Sequence, residues 1–520
     1  MRKKHFLFAS VLALLCGSSA LHAQDFKLTS SGYFKNQGVD IMAFDDIYPE
    51  GHQGGVCIIM NGHRVATNGD IRLEATPGQW QPVPKQLDRK LGDNSITATL
   101  CYPDSSRHLT GFNPMIYPDL HLIYTVNVES KGKNIEVTVD LDRPIPQEFI
   151  GKVGFNLEFF PGSLFGKPWI MDGQSGIFPQ QPNSPLMTTQ PNYLHTGNYH
   201  DGKKSLADMD KLIGKGYSPI VADDIISEPY AKGTKFTSRP DDPYNKVTIE
   251  SLSGDLQLFD GRMNHNNGWF VLRSNIKPGV TKGAVKWIIT PNVVADWMYQ
   301  PVIQTSQIGY HPTQDKEAVI EMDIRDNRKE TAQIIRIDAD GEKVVKNVTP
   351  ANWGKFLRYN YLKVNFTDVK EPGLYKIKYN TSVSPIFRID NDVYARGVWQ
   401  PVLEYFLPVQ MCHMRVNEKY RVWHDCCHMD DAQMAPAHNH IDGYDQKEGL
   451  SKFKPGEVVP GVNIGGWHDA GDFDLRIESQ AGESYILALA YEAFHPNLDV
   501  TSIDQINRVT EIHQPDGKND

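Results

Sequence analysis

Residues 122–141 read LIYTVNVESKGKNIEVTVDL, and this stretch decides the fold of the first half of the chain. Apolar side chains occupy every second position from 122 to 128 and again from 135 to 141, with polar side chains between them except at Ile123. A period of two is typical of strands that bury one face. The intervening Lys131-Gly132-Lys133-Asn134 predicts a hairpin connection. We therefore expect an antiparallel hairpin within a β-sandwich.

Similar strand-like patterns extend over residues 24–300, which we expect to form a β-rich N-terminal domain, and association with carbohydrate is one interpretation of its role. The stretch from Pro179 to Asp224 is rich in Pro, Gly, Asn and Asp, and it predicts long loops. Tryptophans in this half could form a sugar-stacking platform, but we favour burial in the core for most of them, because aromatic side chains bury large areas. They are Trp80, Trp169, Trp269, Trp287 and Trp297.

A second module is predicted over residues 302–390. It opens with Ser306-Gln307-Ile308-Gly309-Tyr310-His311-Pro312. Four strand-like segments follow, with Pro372-Gly373 as a turn before the last of them. They are Glu317–Met322, Gln333–Ile337, Leu362–Phe366 and Leu374–Tyr379. Short strands in a segment of this length predict an immunoglobulin-like (Ig-like) β-sandwich.

After Asp390 the apolar period changes to that of a helix. Apolar residues recur at helical spacing between Val398 and Gln410, and Ser484–Phe494 is rich in Ala and Leu. Pro401 fits a first helical turn, whereas Pro408 should kink the helix. We expect an all-α unit over residues 391–520.

The bulk composition limits the classes of function. A chain of 520 residues is too long to fold around a single hydrophobic core, so three folded units are expected. The net charge is −10 and no basic tract occurs, which argues against a nucleic-acid partner. An acidic surface suits a neutral substrate such as a polysaccharide.

The first residues predict export. Arg2, Lys3 and Lys4 precede an apolar run to Cys16, and small residues follow up to Ala23, which is the order of a secretory signal peptide over residues 1–23. The run is too short for a membrane span. Acylation of Cys16 is the less favoured alternative, because bulky Leu15 precedes it. The mature protein is expected in the periplasm, outside the cell or at its surface.

The most informative motif for catalysis is Gly465-Gly466-Trp467-His468-Asp469-Ala470-Gly471-Asp472. Small residues between Asp469 and Asp472 allow a tight turn that lets both carboxylates converge on one water molecule. Such a pair can orient and deprotonate a nucleophilic water. Taken alone, such a pair is more often a set of solvated acids in a turn.

A second cluster combines Cys412 with Trp423-His424-Asp425-Cys426-Cys427-His428. Thiolate and imidazole are ligands that zinc prefers, and Cys2His2 sets are usually closed structural sites. Five cysteines remain after signal removal, too few for a disulfide framework in a chain of this size. From the residues alone, the fourth ligand stays open among His438, His440 and His468.

Together these motifs resemble glycoside hydrolase family 9. Residues 465–472 look like that family's catalytic-base signature, and Val409–Cys412 with His424–His428 resemble its upstream cysteine and cysteine-histidine motifs. Gln307–Pro312 is similar to the opening of the Ig-like module that commonly precedes the catalytic domain. The resemblance covers roughly residues 302–520.

The resemblance implies an endo-acting, inverting hydrolase of β-1,4-glucans, with Asp472 as general base and Asp469 helping to hold the water. It also implies a structural zinc bound by Cys412, Cys427, His428 and His468. Residues 391–520 would be the start of an (α/α)6 barrel that stops early. The family's acid is a late glutamate, so the chain as given is expected to lack it and to be inactive.

Two other readings stay open at this point. In one, the sandwiches bind carbohydrate and the catalytic region is vestigial. In the other, the protein is a zinc-dependent hydrolase of another class, with Asp469 and Asp472 beside a catalytic metal. That reading needs an open coordination position, which four N/S ligands would close. Glu478 and Glu483 are predicted to be surface groups of a helix after the base motif.

Overall fold

The computed structural model describes most of the chain outside the predicted signal peptide. The described residues are 25–45, 54–74, 76–77, 84–102, 120–183, 186–187, 226–263, 268–406, 411–430, 432–436, 438–439, 445–446, 451–468 and 475–520. The predicted signal sequence with Cys16, Trp80 and most of the predicted loops between Pro179 and Asp224 lie outside them. Contacts divide the chain into two compact units, between Met298 and Tyr299.

The first unit is built from antiparallel strands. They are β1 (Lys27–Leu28), β2 (Phe34–Asn36), β3 (Val39–Ala43), β4 (Val56–Met60), β5 (His63–Leu73), β6 (Lys85–Leu91), β7 (Ser95–Cys101), β8 (Ile123–Lys131), β9 (Asn134–Leu141), β10 (Val153–Phe159), β11 (Pro168–Met171), β12 (Gln174–Ile177), β13 (Leu186–Met187), β14 (Ile226–Ser227), β15 (Ala231–Gly233), β16 (Lys235–Ser238), β17 (Val247–Ser251), β18 (Leu256–Asp260), β19 (Phe270–Asn275) and β20 (Val285–Pro291). One sheet has the order β1-β2-β3-β4-β5-β10-β19-β18-β15, and a second has the order β12-β11-β16-β17-β20-β9-β8-β7-β6. Strands β13 and β14 pair separately.

The hairpin predicted from residues 122–141 is confirmed. Strands β8 and β9 pair antiparallel, with Tyr124 opposite Leu141 and Lys131 opposite Asn134. Gly132 lies in the connection at a φ of 68°, a left-handed conformation that glycine adopts without a Cβ clash. The alternation therefore places one set of side chains in the core and the other toward solvent.

Apolar side chains from the two large sheets meet in one core. Phe155 of β10 contacts Trp287 of β20 edge to face, with ring centroids 5.0 Å apart. Phe159 and Phe236 make a similar contact at 5.8 Å. These contacts join one sheet to the other, so the unit is a β-sandwich.

The prediction that the tryptophans of this half are buried in the core is confirmed for two of the five. Trp287 and Trp169 are buried. Trp269 and Trp297 are half-buried. None of these four is among the strongly exposed side chains of the described residues. The four described tryptophans of this half are therefore buried or half-buried, and none of them presents a largely exposed ring.

A network of charged and polar side chains is buried in the first unit. The Arg273 guanidinium donates hydrogen bonds to Asn156 Oδ1 at 2.9 Å and to the Glu74 carbonyl at 2.7 Å. It also forms an ion pair with the Glu74 carboxylate at 3.4 Å. Burial raises the pKa of Glu74 to about 7 and that of Asp70, which accepts a hydrogen bond from Tyr124, to about 6. Desolvation thus outweighs the nearby arginines at both carboxyls.

The second unit begins with a smaller β-sandwich. Its strands are β21 (Val302–Gln304), β22 (Glu317–Asp323), β23 (Ala332–Asp338), β24 (Gly341–Val348), β25 (Ala351–Phe356), β26 (Tyr359–Asn365), β27 (Gly373–Tyr379), β28 (Ser382–Val383) and β29 (Phe387–Ile389). One sheet has the order β21-β22-β26-β25, and the other has the order β24-β23-β27-β28 with β29 beside β27. Tyr310 packs edge to face against Phe366 and Phe387 in the core. The four strands predicted here are confirmed.

The all-α unit predicted from residue 391 onward is wrong. The described residues there form strands β30 (Arg415–Glu418), β31 (Arg421–His424), β32 (His438–Asn439), β33 (Asp445–Gln446), β34 (Thr501–Asp504) and β35 (Val509–Ile512), with helices α1 (Gln400–Glu404) and α2 (Ile477–Phe494). One sheet has the order β31-β30-β35-β34. Its small core contains Met414, Val416 and Ile512.

The physical reason lies in the segment that was read as the first helix. Helix α1 ends at Glu404, before Pro408, whose ring lacks the amide hydrogen that a continuing helix needs. In the described part of that segment, the helical spacing of apolar residues corresponds to the single short helix α1. No start of an (α/α)6 barrel is seen in the described residues. The second predicted helix is confirmed, as the latter part of α2.

The helices of the described part of the chain do not meet the requirements of a membrane span. None of them combines the necessary length with the necessary apolar character.

Candidate functional site

The candidate site is assembled from three segments of the second unit. Cys412 lies just before β30, and Cys427 and His428 follow β31. The turn between these two strands contains Lys419 at a φ of 54°, and it reverses the chain so that both cysteines lie at the same end of the pair. His468 comes from a distant segment.

Backbone contacts hold the distant segment in place. The amide of Cys412 donates a hydrogen bond to the Gly466 carbonyl at 2.8 Å, and Met411 forms an isolated antiparallel bridge with Trp467. These contacts place His468, the next residue along, beside the cysteines. The cysteine-histidine motif and the first residues of the Gly465–Asp472 motif therefore lie side by side in the structure.

Four candidate ligand atoms converge within 4.8 Å of one another, from Cys412, Cys427, His428 and His468. Cys412 Sγ lies 3.4 Å from Cys427 Sγ and 3.2 Å from His428 Nδ1. Cys427 Sγ lies 3.3 Å from His468 Nε2. Cys412 and His468 are buried, and the other two are half-buried. The residues alone left the fourth ligand open among three histidines, the family resemblance implied His468, and the structure places His468 beside the other three.

The donor set fits a tetrahedral metal ion. Metal–ligand bonds of about 2.0–2.3 Å in a tetrahedron imply distances of roughly 3.3–3.8 Å between ligand atoms. The Sγ–Sγ separation of 3.4 Å and the two Sγ–N separations of 3.2 and 3.3 Å are shorter than the tetrahedral values by a few tenths of an ångström, and all four atoms lie within 4.8 Å of one another. Two sulfur and two nitrogen donors match the preference of zinc, and four such ligands leave no position for a substrate.

His413 is a residue of the site that sequence reasoning missed. It is buried, and its Nδ1 lies 2.9 Å from the Gly465 carbonyl oxygen while its Nε2 lies 3.0 Å from the His428 carbonyl oxygen. One imidazole thus links the two segments that carry the histidine ligands. The sequence signal was only its position beside Cys412, because both of its contacts are to backbone atoms.

Helix α2 is attached to the same loop. The indole N–H of Trp467 donates a hydrogen bond to the Glu483 carboxylate, and the Gln480 side chain donates to the Trp467 carbonyl at 2.8 Å. Glu483 is half-buried in this contact, although it was expected to be a surface group. The side chain of Glu478 lies outside the described residues.

The predicted carboxylate pair, Asp469 and Asp472, lies outside the described residues, as does His440. The described chain stops at His468 and resumes at residue 475. Because Asp469 follows His468 directly, the metal cluster lies at the start of the segment that carries both acids. Their roles remain predictions.

With the geometry of the site established, similarity to known proteins becomes informative. Residues 298–384 match the cellulase N-terminal Ig-like domain. This is the module that the structure shows as the smaller β-sandwich. A comparison with curated protein sequences gives no match. The chain therefore carries a cellulase-type Ig-like domain, which is typical of a glycoside hydrolase-related protein.

Solved structures similar to the chain include glycoside hydrolase family 9 endoglucanases. A metagenome-derived endoglucanase is 23% identical with a TM-score of 0.29, over 38% of this chain and 34% of that one. A Zn-binding triple mutant of the endoglucanase J30 is 25% identical with a TM-score of 0.28, over 35% and 31%. A family 9 protein of Bacteroides ovatus is 23% identical with a TM-score of 0.25, over 33% and 28%. The chain spans about a third of the length of these structures.

Proposed function

We propose that the chain belongs to an exported glycoside hydrolase that cleaves β-1,4-glucans, cellulose-like or related, with inversion. Residues 24–300 form its first domain, residues 302–390 its Ig-like module, and residues 391–520 carry the candidate catalytic residues. The observation that carries the proposal is the cellulase-type Ig-like module followed in the same chain by the four-residue Cys/His cluster.

In the proposed mechanism, Asp472 is the general base and Asp469 helps to hold the attacking water. Inversion requires a carboxylate on one face of the sugar to activate water while an acid on the other face protonates the leaving oxygen, with about 6.5–9.5 Å between them. Only the base side is assigned to residues of this chain.

The proposed role of the metal cluster is structural. A zinc ion held by Cys412, Cys427, His428 and His468 would supply a fixed crosslink between three segments of chain. Because His468 precedes Asp469, that crosslink would fix the start of the loop that carries the acids, as groups around a site commonly orient those that act. A catalytic zinc is disfavoured, since four N/S ligands leave no open position.

The decisive experiment measures reducing-end release from soluble β-1,4-glucan by the natural gene product that contains residues 1–520. Asp472→Asn should lower turnover by roughly 10²–10⁴-fold, the usual contribution of general base catalysis. Asp338→Asn is a matched control, because Asp338 is an exposed acid of the Ig-like module, paired with Arg336, and is not assigned to the reaction.

Near-normal turnover by Asp472→Asn would disprove the assignment of the base. Glucan binding without product release by the natural protein would instead support the alternative, a carbohydrate-binding protein with a vestigial catalytic region. A metal assay that finds no zinc would remove the proposed crosslink but leave the base assignment to be judged by turnover.

A further inference from the structure

An aromatic stripe lies on the outer face of the β21-β22-β26-β25 sheet of the Ig-like module. It consists of Tyr299, Trp353, Phe356, Tyr359 and Tyr361. Trp353 is 55% exposed and Phe356 is 57% exposed, whereas the three tyrosines are half-buried. Exposed aromatic side chains gathered on one sheet face commonly mark a binding surface.

The rings of the stripe form a continuous series. Trp353 and Tyr361 have centroids 5.6 Å apart, Tyr361 and Tyr359 are 6.0 Å apart, and Tyr359 and Tyr299 are 5.1 Å apart. Phe356 lies directly opposite Tyr359 in the register of β25 and β26. These contacts fix the rings relative to one another before any ligand arrives.

Local backbone geometry aims Trp353 at this face. The register of β25 against β26 shifts between Asn352 and Gly354, so Trp353 is the extra residue of a β-bulge. Gly354 has a φ of 129°, which a residue with a Cβ rarely adopts. Bulges of this kind redirect a side chain out of the regular alternation.

A carboxylate is held among the rings. One oxygen of Glu321 accepts a hydrogen bond from the Tyr299 hydroxyl at 2.9 Å, and the other accepts one from the Tyr361 hydroxyl at 3.1 Å. Burial raises the pKa of both tyrosines, so the phenols stay protonated donors at neutral pH. Each carboxylate oxygen retains lone-pair capacity for a further hydroxyl donor.

The stripe is short and bounded by charge. The Lys363–Glu317 ion pair, at 2.6 Å, lies beyond one end of it on strands β26 and β22, and the Arg325–Asp323 ion pair, at 2.6 Å, lies near the other. Five aromatic residues are far fewer than the roughly 20–30 per partner of a stable protein interface. The patch is therefore too small for a stable protein partner and suits a narrow, amphipathic ligand.

We propose that this stripe binds a β-linked glucan chain, with sugar faces stacked on Trp353 and its neighbouring rings and sugar hydroxyls donating to Glu321. A pyranose ring has apolar C–H faces and a rim of hydroxyls, which matches aromatic faces beside an oriented carboxylate. The inference rests on the proposed function for its substrate class. It assigns the Ig-like module a role in holding the polysaccharide outside the catalytic residues.

Affinity electrophoresis of the full 520-residue chain in gels containing hydroxyethyl cellulose tests this assignment. Trp353→Ala should weaken retardation by roughly tenfold or more in apparent affinity, as loss of a central stacking residue does. Trp353→Phe should retain part of the affinity. Tyr361→Phe keeps the ring but loses the hydroxyl that donates to Glu321, so its affinity should lie between that of the parent chain and that of Trp353→Ala. Tyr420→Ala is the control, because Tyr420 is 87% exposed and lies away from the stripe on the turn after β30.

Binding by Trp353→Ala and Tyr361→Phe equal to that of the parent chain would overturn the inference, because the glucan would then be held elsewhere. Absence of any retardation of the parent chain would overturn it as well. Thermal unfolding of each variant separates lost binding from lost folding. The hydrolysis assay with Asp472→Asn is independent of these outcomes, so failure of the stripe and failure of the proposed reaction are distinguishable.

Discussion

Cys427 Sγ lies 3.3 Å from His468 Nε2, although the two residues are 41 positions apart in the chain. The pair joins the turn after β31 to the loop that enters the segment of the predicted acids. A contact this long-range orders both segments at an entropic cost that a bound metal can offset. The Cys/His cluster is thus the strongest link between the fold of the second unit and its proposed chemistry.

The zinc content of the protein should depend on the four residues of the Cys/His cluster and not on the other cysteines. We expect one zinc per chain in the purified protein and loss of that zinc in Cys427→Ser, because three ligands hold the ion more weakly than four. Elemental analysis after dialysis measures this. Cys426→Ser is the matched control, since Cys426 is exposed and outside the cluster. Equal zinc loss in both variants would contradict the proposed ligand set.

His413 should act on the metal without binding it. Because its two ring nitrogens contact the carbonyl oxygens of Gly465 and His428, His413→Ala should lower zinc affinity by roughly 10–100-fold, the usual effect of losing a group that orients ligands. Competition with a chromophoric chelator at fixed pH gives the affinity. The exposed His495 supplies a control variant, His495→Ala. Unchanged affinity in His413→Ala would show that the two segments are held without this imidazole.

The sequence predicted elements well where a periodic pattern was uninterrupted. Strands β8 and β9 follow from strict alternation, and α2 contains the predicted Ser484–Phe494 helix. Helix α2 starts earlier, at Ile477, where Gly482 weakens the helical signal of its first half. The all-α prediction failed because the helical spacing after Val398 corresponds, in the described residues, only to the short helix α1, and the barrel itself was implied by the family resemblance and not by the periodic pattern.

Some residues of the candidate site could be identified from the sequence, and others could not. Residue types and spacing were enough to choose Cys412, Cys427 and His428, because zinc ligands carry their chemistry in the side chain. The choice of His468 over two other histidines needed either a family resemblance or the Met411–Trp467 bridge that places it. His413 and Glu483 could not be chosen, since their contacts depend on where a backbone carbonyl or a distant indole lies.

Stability of the first unit should fall as pH rises from about 4 to about 7. The folded pKa values of Asp70 and Glu74 are raised from 3.8 and 4.5 to about 6 and about 7. In that window the folded state binds more protons than the unfolded state, so the free energy of unfolding decreases with pH. Hydrogen exchange of peptides from β10 and β19, followed against urea at several pH values, reports on this unit within the full chain.

Glu74→Gln should flatten that pH dependence, because the amide cannot ionise and its oxygen still accepts from Asn156. The exposed Glu250→Gln serves as the control, since its partner Lys235 lies at the surface. A pH slope that is unchanged in Glu74→Gln would mean that other groups dominate the linkage. A slope of opposite sign in the parent chain would mean that the neighbouring arginines, Arg72 and Arg273, outweigh burial at these carboxyls.

Two tryptophans should separate stability from binding. Trp287 is fully buried, donates its indole N–H to Ser274 Oγ at 3.0 Å and packs on Phe155, so Trp287→Ala should cost about 3–5 kcal/mol of unfolding free energy. Trp353 is more than half exposed, so Trp353→Ala should change stability by only about 0.5 kcal/mol while weakening glucan binding. Urea unfolding and affinity electrophoresis on the same preparations give both quantities. A large loss of stability in Trp353→Ala would show that the stripe supports the sandwich, and its exposure would then need a structural explanation.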